Sequence, residues 1–250
     1  MLRSFDDGRL FGQVLGPRTP EVLALHGWGR THRDFDTVLG PVGDAPPAFS
    51  SLALDLPGFG ASPVPPQVWG PAEYAQAVAP VLDQLSTPAV LLGHSFGGRV
   101  AVHLASSHPD QVRGLVITGA PVLARPGRRR RPPLGFRVAR QLHRMGLYGE
   151  ARMEAARQRH GSADYRAAQG ILRQVLVRSV GTDDAAQLRA IRCPVVLVWG
   201  DDDDDAVLAV AESARDLLGE ATLIVCPGAG HFTPRTVPGT LRAAVEGLLA

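Results

Sequence analysis

The chain contains no lysine and no asparagine, so all 26 of its basic residues are arginine. It has two cysteines in 250 residues, Cys193 and Cys226, too few for a disulfide scaffold in a chain of this length. If 195–199 and 221–225 are parallel strands, Cys193 begins one and Cys226 ends the other. They then lie about 15–20 Å apart at ~3.3 Å per residue, which excludes a bridge between them. No CxxC, HExxH or paired His/Cys spacing occurs, so neither a metal nor another cofactor is expected. The opening MLRSFDDGRL carries charge where a secretory leader needs an apolar core, and no apolar run reaches bilayer length. These absences predict a cytoplasmic protein with no membrane span. No internal repeat is present.

What is there suits a single globular domain: 45% of the residues are hydrophobic, enough for one substantial core. Short Val, Leu and Ile runs ending in glycine or a polar turn alternate with longer helix-like stretches, the rhythm of βα units around a mostly parallel sheet. The pattern predicts strands at 22–25, 51–55, 89–92, 114–118, 195–199 and 221–225, and helices at 72–85, 96–107, 206–218 and 237–249. Segments 2–5 and 10–14 are expected as antiparallel edge strands.

The rhythm breaks at 121–184, which divides the chain into a first core part (1–120), a helical insertion and a second core part (185–250). Leu134, Val138, Leu142 and Met145 recur at helical spacing, with Arg137, Arg140 and Arg144 on another face. Residues 121–180 hold 14 arginines against 3 acids, a net +11, whereas the remainder holds 12 against 21, a net −9. Absence of lysine explains why these cations are arginine and not why they cluster. The plain reading of such a run is a solvated face.

The stretch LLGHSFGG places Gly93, His94, Ser95, Phe96 and Gly97 between a predicted strand and a predicted helix. A G-x-S-x-G pattern is weak alone in a chain with 28 glycines. In this context it describes a turn so tight that the serine stands clear of the sheet, with glycines where strand and helix approach. A serine hydroxyl needs a base. His231, in PGAGHFTP, follows the last predicted strand, where its ring can reach the carboxyl ends of the strands. His103 and His108 lie in or at the end of the helix after the serine, and His143 and His160 in the insertion. They read as surface or packing residues.

The run WGDDDDDAV after the penultimate strand offers an orienting carboxylate, in the chain order Ser, Asp, His. Asp201, Asp203, Asp205 and Glu212 also match four positions of a calcium-binding loop. That reading fails because Ala206 stands where the loop needs glycine and a strand pattern, VVLVW, precedes it.

Together these motifs resemble the α/β-hydrolase fold: a mostly parallel central sheet flanked by helices, with a small helical lid insertion. LALHGWGR (23–30) is similar to its oxyanion loop, LALDLPGFGAS (52–62) to its D-x-P-G-x-G-x-S segment, GHSFGG to its nucleophile elbow, VVLVWGDDD to its acid strand and PGAGH to its histidine loop. The resemblance implies Ser95 as nucleophile, His231 as general base and acid, and Asp203 as orienting acid, with Asp202 or Asp204 the alternatives if the register slips. It implies the backbone amides of Trp28 and Phe96 as oxyanion donors, supported by His26, Gly27, Gly93 and Gly97. Asp204 and Asp205 are expected to cap the following helix. Asp55 is expected to shape a turn.

Serine at the elbow implies ester hydrolysis. The HGWG and DLPGFG wording is especially similar to esterases that cleave pimeloyl methyl ester attached to acyl carrier protein. By that resemblance the substrate is a small-molecule or carrier-bound acyl ester. The insertion's apolar face would roof an acyl pocket, while Arg128, Arg129, Arg130, Arg131, Arg137, Arg140 and Arg144 meet an acidic carrier. A carbon–carbon bond hydrolase of the meta-cleavage type has a similar triad and is the alternative, and a non-catalytic binding protein on this fold is a further one. Nucleic-acid binding is not expected, because the acidic remainder offers no continuing basic surface.

Overall fold

The computed structural model describes residues 2–86, 88–123, 134–160 and 162–250. Arg128, Arg129, Arg130 and Arg131 lie outside the described residues. The strands are β1 (Leu2–Phe5), β2 (Leu10–Leu15), β3 (Val22–Leu25), β4 (Ser51–Asp55), β5 (Ala89–His94), β6 (Val112–Thr118), β7 (Val195–Gly200) and β8 (Ala221–Cys226). The helices are α1 (Asp36–Leu39), α2 (Pro71–Leu82), α3 (Phe96–Ser107), α4 (Leu134–Arg144), α5 (Glu150–His160), α6 (Ala163–Ala167), α7 (Gly170–Val180), α8 (Ala185–Ala190), α9 (Leu208–Arg215), α10 (Thr233–Thr236) and α11 (Pro238–Leu249).

The strands form one sheet in the order β1-β2-β4-β3-β5-β6-β7-β8, parallel from β4 to β8 and antiparallel at β1/β2 and β2/β4. Only β1 of the N-terminal pair is an edge strand, since β2 is enclosed by β4. The inner strands read as unbroken apolar runs because helices cover both sides of the sheet. Alternate residues divide between two cores. Leu23, Leu25, Leu52, Leu54, Leu91, Ile117 and Leu197 pack with side chains of α2, α3 and α9, whereas Ala24, Ala53, Val90, Leu92 and Val116 pack with Val38 and Leu39 of α1 and Leu241, Ala244 and Val245 of α11.

This arrangement brings the carboxyl ends of β3, β5, β7 and β8 to one rim. The crossovers diverge between β3 and β5, which are direct neighbours, and ligand clefts of open α/β sheets form at such a point. Cys193 and Cys226 are both free. Among the described residues no helix is long and apolar enough to cross a membrane.

One expectation is corrected. The helix after the aspartate run begins at Leu208, with Val207 at its N-cap and no side-chain cap, so Asp204 and Asp205 do not cap it. On α4 Leu134 is 71% exposed and Val138 49%, and Met145 just after it is 54% exposed. The buried residue of this helix is Ala139.

Candidate active site

At the end of β5, Ser95 has φ 51 and ψ −116, a left-handed backbone conformation unfavourable for any residue with a Cβ. It is held there by its own amide, which donates to the Thr118 carbonyl on β6 at 2.9 Å. The flanking glycines are sterically required. A Cβ at Gly97 would lie 2.0 Å from the Leu25 carbonyl oxygen, and one at Gly93 2.5 Å from the Gly98 Cα. The sharp turn leaves the Ser95 hydroxyl half-buried at the sheet rim.

His231 approaches from the loop after β8. Its Nε2 is 3.0 Å from Ser95 Oγ, and its Nδ1 is 2.9 Å from Asp203 Oδ2 and 3.1 Å from Oδ1. The carboxylate only accepts, so Nδ1 carries the proton of the neutral ring and Nε2 turns a lone pair toward the hydroxyl. Burial alone would lower the His231 pKa. The Asp203 hydrogen bond and charge, with Asp205 and Asp164 beyond, outweigh it and raise the pKa above the ordinary histidine value.

Asp203 is buried while its four neighbours in the run are not all so: Asp201, Asp202, Asp204 and Asp205 are exposed. Asp203 Oδ1 also accepts the amides of Asp205 at 2.9 Å and Ala206 at 2.7 Å, which fixes the carboxylate's orientation. Asp201 has a different place, accepting the Gly228 amide at 2.7 Å. The Asp202 amide donates to the Ala229 carbonyl at 3.1 Å. These bonds tie the β7 and β8 loops together and set the register that turns Asp203 inward.

The loop after β3 brings Trp28 against Phe96, ring centroids 5.4 Å apart and edge to face. No hydrogen bond ties the amide of either residue to an acceptor among the described residues. His26 secures this loop: Nδ1–H donates to the Gly27 carbonyl at 2.7 Å, and Nε2 accepts the Leu56 amide at 3.0 Å. Full burial lowers its pKa to about 4, so the ring is neutral. Gly27 has no room for a side chain, since its Cβ would be 2.9 Å from His94 Nδ1.

Asp55 organises a turn, as its motif suggested. It accepts from the His32 amide and His32 Nδ1, both at 2.8 Å, and from the Ala61 amide at 2.9 Å. Burial would raise its pKa, but these donors hold it below the usual carboxylate range.

Sequence reasoning missed three residues. His94 lies inside the GHSFGG motif yet was assigned nothing, because its partner is the main chain of a residue 137 positions away. Arg99 and Asp184 meet in a buried pair that no local pattern announces. On α4 Arg137, Arg140 and Arg144 are exposed.

A model of the alpha/beta hydrolase family matches residues 22–244. A pimeloyl-[acyl-carrier protein] methyl ester esterase from Neisseria meningitidis serogroup C is 38% identical over 100 residues, covering 40% of this chain and 36% of that protein. Lipase LipV from Mycobacterium tuberculosis is 40% identical over 107 residues, covering 42% of this chain and 39% of the relative. The matched stretches thus span less than half the length of these curated relatives. The crystal structure of a hydrolase from Pseudomonas aeruginosa superposes with a TM-score of 0.72 at 23% identity, covering 100% of this chain and 98% of the other, a likeness of fold.

Proposed function

Since the chain belongs to the alpha/beta hydrolase family, we propose that it is a serine hydrolase of carboxylic esters acting through an acyl-enzyme. The observation that carries this reading is the continuous path from Ser95 Oγ to His231 Nε2 at 3.0 Å and from His231 Nδ1 to Asp203 at 2.9 Å. In the first half-reaction Ser95 Oγ attacks the ester carbonyl and its proton passes to His231 Nε2. Negative charge builds on the carbonyl oxygen, which the amides of Trp28 and Phe96 receive as donors. The tetrahedral intermediate collapses, its C–O bond breaks, and Nε2–H protonates the departing alkoxide. Water then attacks the acyl-enzyme, giving its proton to Nε2, and the acid leaves as Ser95 recovers its hydrogen. Asp203 fixes the ring's tautomer and stabilises the imidazolium without taking the proton.

Residues 121–184 act in this reading as a cap over the rim, and the substrate is an acyl ester on an acidic acyl carrier protein. Two facts support the carrier: the relative named for such a substrate, and the outer surface of α4. Exposed Leu134, Val138 and Met145 lie beside exposed Arg137, Arg140 and Arg144, a mixed apolar and cationic surface suited to an acidic, partly apolar partner.

Hydrolysis of p-nitrophenyl esters from acetate to decanoate, with Ser95→Ala as control, tests the reading. Turnover that disappears in Ser95→Ala is expected, with the preferred chain length measuring the acyl pocket. Turnover that persists in that variant refutes Ser95 as nucleophile. If no small ester is cleaved, a carrier-bound pimeloyl methyl ester is the decisive substrate, and its survival too refutes the esterase.

A further inference from the structure

His94, the last residue of β5, fills the space between the loops that carry Gly27 and His231 and is 1% exposed. Its Nε2 lies 2.9 Å from the main-chain oxygen of His231. A carbonyl only accepts, so Nε2 bears the proton and donates. Nδ1 is therefore a bare lone pair, and it has no hydrogen-bond partner among the described residues. That edge of the ring faces the loop after β3: a Cβ on Gly27 would sit 2.9 Å from Nδ1 and 3.2 Å from Cε1. The rings of His94 and His231 are 5.1 Å apart between centroids.

Burial, followed by the neighbouring His231 charge, lowers the His94 pKa to about 4. The ring is neutral wherever His231 serves as a base. An apolar side chain of similar volume would remove the unpaired Nδ1, whose burial without a partner is unfavourable. It would not donate to the His231 carbonyl, and that donation is what distinguishes the imidazole.

We propose that His94 is a positioning residue whose imidazole sets the spacing between the histidine loop and the loop that presents the Trp28 amide. The inference rests on the roles proposed for Ser95 and His231. Without the His94 donor the His231 main chain moves away from β5, and the hydrogen bonds from its ring to Ser95 and Asp203 lengthen together. Among the described residues, Asp203 and Asp205 from the loop after β7, Asp164 from α6 and His94 from β5 bear on His231 besides Ser95. Asp203 is the one in hydrogen-bond contact with its ring. Loosening that contact leaves burial less opposed and lowers the His231 pKa.

The test is an NMR titration of the His231 imidazole in the wild-type protein, His94→Leu and His94→Gln, with ester kinetics beside it. In His94→Leu the His231 pKa falls, kcat drops about 10- to 100-fold and KM stays within about twofold. His94→Gln, which keeps an N–H donor, recovers part of both effects. An unmoved His231 titration in folded His94→Leu overturns the proposal, as does equal impairment in the glutamine and leucine variants. Should His94→Leu fail to fold, His94→Asn, too short to reach the carbonyl, carries the same expectations. The titration needs no substrate: a wild-type protein that cleaves no ester refutes the catalytic reading, whereas an unmoved His231 refutes the role of His94.

Discussion

Arg99 donates its Nε–H to Asp184 Oδ2 at 2.7 Å, joining the helix behind Ser95 to the return of the helical segment between β6 and β7. Both side chains are buried, and the guanidinium also donates to the carbonyls of Ser179 and Thr182. His103 meets the second carboxylate oxygen at 3.0 Å. Asp184→Ala leaves the Arg99 charge buried and uncompensated, so unfolding free energy measured in urea should fall by about 3–5 kcal/mol.

The same pair predicts acid sensitivity. Burial would raise the Asp184 pKa, but His103 and Arg99 bring it below the ordinary value. The stabilisation is therefore complete above the unfolded carboxylate pKa of about 3.9 and is lost as pH falls through the lower folded value. The stability gap between wild type and Asp184→Asn should close as pH falls below that value. A gap that persists well below that pH contradicts the assignment.

Within the aspartate run, only the buried member should matter to turnover. Asp203→Asn is expected to lower kcat on the order of 10³- to 10⁴-fold by removing the partner that sets the His231 tautomer. Asp201→Asn keeps an acceptor oxygen for the Gly228 amide and should keep kcat near wild type. Equal activity of the two variants would sink Asp203 as the orienting acid.

The pH profile follows from the direction of the His231 shift. The base is neutral only above its raised pKa, so kcat/KM should rise with pH through a limb above about 6.5. In the residual activity of Asp203→Asn this limb moves to lower pH. Stability has the opposite sense: protonated His231 favours the folded state, so this contribution is present below the unfolded histidine pKa and lost as pH rises through the folded one.

Arg137, Arg140 and Arg144 give a test of the partner. Replacing all three with glutamine should raise KM for a carrier-bound ester and leave small esters unaffected, since the arginines lie on the outside of α4. The same comparison applied to Arg128–Arg131 asks whether the rest of the basic cluster contributes. Equal KM changes on both kinds of substrate would remove the carrier from the proposal.

Much of this molecule is determined by local chemistry. Strands buried on both faces, such as Val22–Leu25 and Ala89–His94, must be continuous apolar runs, and so they are visible as words in the sequence. Gly93 and Gly97 are legible for the same reason: the elbow leaves no volume for a Cβ, and only one residue type satisfies that. Tertiary structure decided what depends on contacts between distant segments. Five consecutive aspartates are chemically identical, and it is the bonding of the β7 loop to Gly228 and Ala229 that turns Asp203 toward His231. The periodicity of α4 indicates an apolar stripe but not which residues meet the protein, and Ala139 is the one that packing buries. His94 and Arg99 find their partners 137 and 85 residues away, where no spacing along the chain can point.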